Sequence, residues 1–81
     1  MQNRKPGQIK TSHELGTLIR EFRKSHQFPL EKVSGLANVS MRFLSELERG
    51  KETAQIGKIL TTLNTLGLDV FILPRGYVAD E

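Results

Sequence analysis

Residues 30–51 read LEKVSGLANVSMRFLSELERGK, and the fold turns on how this stretch divides. Pro29 can open a helix, because the N–H it lacks has no partner in a first turn. Leu30, Val33 and Leu36 or Ala37 then form a short buried face, which predicts a helix over 30–36. Asn38 falls where the chain must turn sharply, and Asn accepts a left-handed conformation at low cost. Ser40 is a strong N-cap. Leu44 and Leu47 point inward at a spacing of three, with Val39 just before them, and Gly50 stops the run, so a second helix is expected over 40–48. Two short helices joined by a tight turn of about three or four residues make a helix-turn-helix.

The flanks complete an all-α body of four helices. Upstream, Thr11 and Glu14 have the spacing of a capping box. Leu15, Leu18, Ile19 and Phe22 follow on one helical face, which predicts a helix over 12–25. Downstream, Ile56, Ile59, Leu60, Leu63 and Leu66 predict a core-facing helix over 54–66, with Gly67 as its stop. LDVFIL (68–73), rich in β-branched and aromatic residues and ended by Pro74, reads as a strand. Nothing else in the body reads as a strand, and a lone strand leaves its backbone groups unpaired. Pairing with the same strand of a second copy resolves this, through Leu68, Val70, Phe71, Ile72 and Leu73, and implies a two-fold homodimer. The alternative is a helical or unstructured tail. The expected division is a flexible basic arm (1–10), a helix-turn-helix domain (11–67), a dimerisation strand (68–74) and a loose tail (75–81).

At 81 residues the chain holds one small domain, whose own core is marginal. It has no cysteine, so disulfides, thiolate metal sites and a Cys nucleophile are excluded, which suits a reducing cytoplasm. His13 and His26 sit among polar neighbours and are expected at the surface, leaving no metal ligand set. There is no acid/base pair or phosphate-cradling Gly loop, so neither an enzyme nor a cofactor is expected. No window resembles a signal peptide or a membrane span. The net charge is +3 and uneven: residues 1–30 hold six basic and two acidic residues, residues 31–81 six basic and seven acidic. A basic N-terminal portion suits an anionic partner such as nucleic acid.

In a helix-turn-helix the second helix enters the major groove, and its early residues touch base edges. The outward residues there are Met41, Arg42, Phe43, Ser45 and Glu46. Arg42 can bond a guanine edge with two hydrogen bonds, and Met41 or Phe43 can press on a thymine methyl. Glu46 can accept from a cytosine, or pair with Arg42 one turn earlier. Ser40, Ser45, Arg49 and Lys51 are expected at phosphates, with Arg20 and Gln27 beside them.

The same residues carry a family resemblance. Ala37-Asn38-Val39-Ser40, Leu44-Ser45-Glu46-Leu47 and Glu48-Arg49-Gly50-Lys51 resemble the core of lambda-repressor/Cro-type (Xre-like) regulators. ELGTLIREFRK, FLSELERGKETAQIGKIL and LGLDVFILPRG extend the likeness over nearly the whole body, to HipB-like antitoxins in particular. The resemblance implies a lambda-repressor-like four-helix body with a C-terminal strand that joins a dimer. It implies base contacts at Met41, Arg42 and Glu46, phosphate contacts at Ser40 and Arg49, and a structural pair between Arg23 and Glu48. It also implies a palindromic double-stranded DNA operator and a HipA-like Ser/Thr kinase toxin as partners. A stand-alone repressor, or a toxin-binding module with weak DNA affinity, are the alternatives. One departure stands out. Pro29-Leu30 replaces the family's usual Thr-Gln, so that Gln contact with the DNA backbone is missing or moved to Gln27 or Lys32.

Overall fold

The computed structural model describes residues 7–77; residues 1–6 of the expected arm and 78–81 of the expected tail lie outside that range. The described residues form four helices: α1 Ser12–Ser25, α2 Leu30–Ala37, α3 Met41–Glu48 and α4 Ile56–Thr65. α1 packs on α3, α2 on α3, and α4 on α2. The capping box forms: Glu14 N–H donates to the Thr11 hydroxyl at 3.0 Å, and Thr11 N–H to the Glu14 carboxylate at 3.2 Å.

All four helices end in the same way. The residue after each helix's last turn takes a positive φ: 58° at Gln27, 58° at Asn38, 90° at Gly50 and 80° at Gly67. Its N–H bonds back three residues, and the next N–H bonds back five, as in Val39 to Ser34 at 3.0 Å and Phe28 to Arg23 at 2.9 Å. This is the Schellman turn, which satisfies the free carbonyls of a helix end. Asn38 was expected in this role. Gln27 was not, because Gln carries a Cβ that makes a left-handed residue cost about 1–2 kcal/mol.

The core is Ile19, Val33, Leu44, Leu47, Ile59, Leu63 and Leu66, ringed by half-buried Leu15, Phe22, Phe28, Leu30, Val39, Phe43, Ala54 and Leu68. Leu30, the departure from the family pattern, is therefore a packing residue. Thr62 and Ser34 are buried polar residues whose hydroxyls donate to the carbonyls of Lys58 and Glu31 at 2.8 and 2.9 Å. Both histidines lie at the surface; His26 stacks between Phe22 and Phe28.

Three expectations change. Ile56 and Leu60 do not belong to the core stripe; they are 68% and 46% exposed. α4 packs chiefly on α2, so one neighbour covers only the Ile59, Leu63 and Leu66 side of a wider apolar face. Of Leu36 and Ala37, it is Ala37 that is buried. Residues 68–74 form no strand in the single chain, since no described segment offers a partner edge. Leu68, grouped with the dimerisation residues, packs on this chain's own core instead, whereas Val70, Phe71, Ile72 and Leu73 are exposed.

α1 and α3 meet at backbone distance. A Cβ on Gly16, buried mid-helix, would fall against the Leu47 carbonyl oxygen and 2.6 Å from that of Glu48. Gly50, at φ 90°, approaches α1 from the other side; a Cβ there would lie 2.8 Å from His13 Cα. Ser12 Oγ donates to the Gly50 carbonyl at 3.0 Å and closes the same junction. The close approach of Gly50 therefore serves the packing of α1. Gly16→Ala is expected to destabilise the fold by about 3 kcal/mol, the upper range for overpacking, as a lower urea midpoint.

Candidate nucleic-acid interface

α3 presents two faces. Ser40 caps it, its hydroxyl accepting from Phe43 N–H at 2.9 Å. Leu44 and Leu47 enter the core. Met41 and Arg42 stand in solvent at its start, and the Arg42 side chain is 86% exposed.

Glu46 and Glu48 are two residues apart and have opposite fates. Glu48 turns inward to α1. Arg23 Nε donates to its Oε2 at 2.7 Å and Nη2 to its Oε1 at 3.0 Å, a two-pronged pair that is almost fully buried. Arg23 Nη1 donates on to the Phe28 carbonyl at 2.9 Å, so α3 is tied to α1 and to the turn after it. Hydrogen bonding to Glu48 raises the already high pKa of Arg23 against the opposing effect of burial. Glu46 stays on the outer face. Lys51 Nζ donates to its Oε1 at 3.0 Å and Arg42 Nε to its Oε2 at 3.3 Å. Lys51 first, and Arg42 after it, hold the Glu46 carboxyl below the usual carboxylate range.

The remaining expected residues are spread unevenly. Arg20, Ser45 and Arg49 come together along a shallow groove between α1 and α3, which His13, Thr17, Glu21 and Glu48 also line. Gln27 is exposed in the α1–α2 turn, held by its backbone bond to Lys24. Phe43 does not stand free on the outward face. Its ring is half-buried against the core, with Lys58 Nζ of α4 5.6 Å from the ring centroid. Sequence reasoning missed Lys58, because its link to Phe43 crosses two helices with no periodic signal between them. The face thus offers cations and hydrogen-bond donors around one carboxylate. Among the described residues no group of three His, Cys, Asp or Glu could hold a metal, and no helix is long and apolar enough to cross a membrane.

No family model matches the chain. It is 46% identical over 68 residues to the uncharacterised HTH-type transcriptional regulator y4mF of Sinorhizobium fredii, covering 84% of this chain and 90% of that protein. Its fold is similar to a chain of the HipA-HipB-O2-O3 complex, with a TM-score of 0.79 at 12% identity over 84% of this chain and 96% of the other. It is also similar to the restriction-modification controller protein C.AhdI of Aeromonas hydrophila, with a TM-score of 0.65 at 21% identity over 72% and 88%.

Removing one partner of a buried pair strands the other charge. Glu48→Ala is therefore expected to cost about 3 kcal/mol in urea unfolding, well beyond the effect of Glu46→Ala on the wet face of the same helix.

Proposed function

The chain belongs to the helix-turn-helix transcriptional regulators, and on that footing we propose that it is a homodimeric, sequence-specific DNA-binding repressor, the antitoxin of a HipBA-like operon. In this reading it acts in the cytoplasm, represses its own operon and binds a HipA-like Ser/Thr kinase toxin. Residues 1–10 form the arm, 11–67 the DNA-binding body, 68–74 the dimerisation segment and 75–81 the tail. The observation that carries the reading is the outward face of α3: Met41 and Arg42 stand in solvent behind the Ser40 cap, while α1 locks the opposite face. Met41 and Arg42 face the bases. Ser40, Ser45, Arg20, Arg49, Lys51 and Gln27 face phosphates.

Support for the dimer comes from a run of apolar side chains left in water. Val70, Phe71, Ile72 and Leu73 are all more than half exposed, with Ile72 at 93%, beside Ile56 and Leu60 on α4. A lone chain of this size gains core area by covering such a surface. Two subunits related by a two-fold axis would read a palindrome with half-sites one helical turn, or a multiple of it, apart. The toxin role rests on the resemblance to HipB-like antitoxins and the likeness of fold to the HipA-HipB-O2-O3 complex chain. The name of the Sinorhizobium fredii relative speaks of transcription alone, which favours a stand-alone repressor as the second reading.

The test of DNA binding is a mobility shift with the upstream region of the protein's own gene. Arg42→Ala is expected to cost about 1–3 kcal/mol per half-site and to relax preference at one base pair. Unchanged affinity and preference would remove Arg42 from the reading set. Phe71→Asp is expected to sediment as a monomer and to bind the same fragment more weakly; a fully dimeric variant would discard the shared segment. Co-purification with the product of an adjacent kinase-like reading frame separates the antitoxin from the stand-alone repressor.

A further inference from the structure

Arg42, Glu46 and Lys51 form a chain of charge along the outer side of α3 and the turn that follows it. Glu46 stands at its centre, with one carboxylate oxygen on Lys51 at 3.0 Å and the other on Arg42 Nε at 3.3 Å. Both bonds are exposed, so each is weak and easily exchanged. Arg42 gives Glu46 its Nε, and its two terminal nitrogens make no side-chain bond among the described residues. The guanidinium is thereby aimed outward with a donor pair ready for a base edge. Lys51 is different: it is a point charge, one of whose three donors meets Glu46, so the carboxylate offsets part of the charge that a phosphate would meet.

We infer that Glu46 is a positioning residue that aims Arg42 and restrains Lys51, so that the face gains less from a bare phosphate backbone than from the correct base pair. The inference rests on the DNA-binding reading above. It gives the carboxylate a role that a direct base contact does not. A negative charge on a DNA-facing surface weakens every approach to phosphates, whatever the sequence. Held between two cations, the same charge costs little in a complex where Arg42 keeps its Glu46 contact and reaches a base with its free nitrogens. It costs more in a complex built only from phosphate contacts, where the Glu46 charge offsets that of Lys51 and no base contact from Arg42 compensates. Specificity is a difference between these two affinities and can be raised by penalising the second.

The test compares the full-length protein with its Glu46→Gln variant on two duplexes of equal length. One carries the upstream region of its own gene, the other a mixed sequence. Glu46→Gln is expected to tighten binding to the mixed sequence roughly two- to tenfold, the sum of two exposed ion pairs. Its dependence on salt should steepen by about one phosphate contact per subunit. Binding to the upstream duplex should change less, so discrimination falls. Adding Lys51→Gln should abolish the gain in salt dependence. Unchanged binding to the mixed sequence, with weaker binding to the upstream duplex, would overturn the inference and make Glu46 a direct base reader. If the wild-type protein binds neither duplex, the DNA-binding reading fails and this inference with it. If it binds both equally, only its sequence preference fails, and the mixed-sequence comparison still decides the role of Glu46. Glu46→Ala, run alongside, keeps the outcome independent of any bond made by the glutamine amide.

Discussion

The backbone contact between α1 and α3 is the constraint on which the rest of the molecule depends. A glycine in the middle of α1 lets the carbonyls of Leu47 and Glu48 come where a side chain would otherwise sit. One end of the contact is fastened by Ser12 on the Gly50 carbonyl, the other by Arg23 on Glu48. A hydrogen bond at one end and a buried ion pair at the other fix both the position and the rotation of α3. Its outward residues therefore owe their direction to residues on its other side, where it meets α1.

The three acidic residues that matter show how environment sorts one chemistry into separate roles. Glu14 works on the backbone, satisfying the free N–H groups that open α1. Glu48 is buried, where a carboxylate is tolerated only with close partners, and Arg23 supplies two donors in the geometry that only a guanidinium has. Glu46 is wet, where the same pairing is worth little for stability and is free to act on the charge seen from outside. Lysine at position 23 would keep the charge and lose the fork.

Much of this was legible in the chain. The capping box, the Asn38 turn, the Ser40 cap and the stripe of Leu44 and Leu47 are local signals, and local physics decides them. The resemblance to Xre-like regulators supplied the pairing of Arg23 with Glu48, which spacing alone does not reveal. What stayed hidden depends on neighbours distant in sequence. Gly16 reads as an ordinary flaw in a helix until α3 lies against it. Phe43 reads as a residue of the wet face until the edge of the core and Lys58 take up its ring. Ile56 and Leu60 fit the apolar period as well as Ile59 does, and only the number of helices available to cover α4 leaves them outside. The segment 68–74 has strand composition, but a ladder needs an edge to pair with.

The repeated stop at the helix ends bears on how this chain finds its fold. Gln27, Asn38, Gly50 and Gly67 each close a helix through bonds that span no more than five residues. The four helix ends are thus defined by bonds local in sequence, and α2 and α3 pair across a very short turn. The distant contacts are α1 on α3, joining Ser12 to a carbonyl 38 residues away, and α4 on α2. Small helical domains dominated by local contacts fold on the microsecond to millisecond scale. Both distant contacts complete the domain, and the one between α1 and α3 also aligns the outward face of α3.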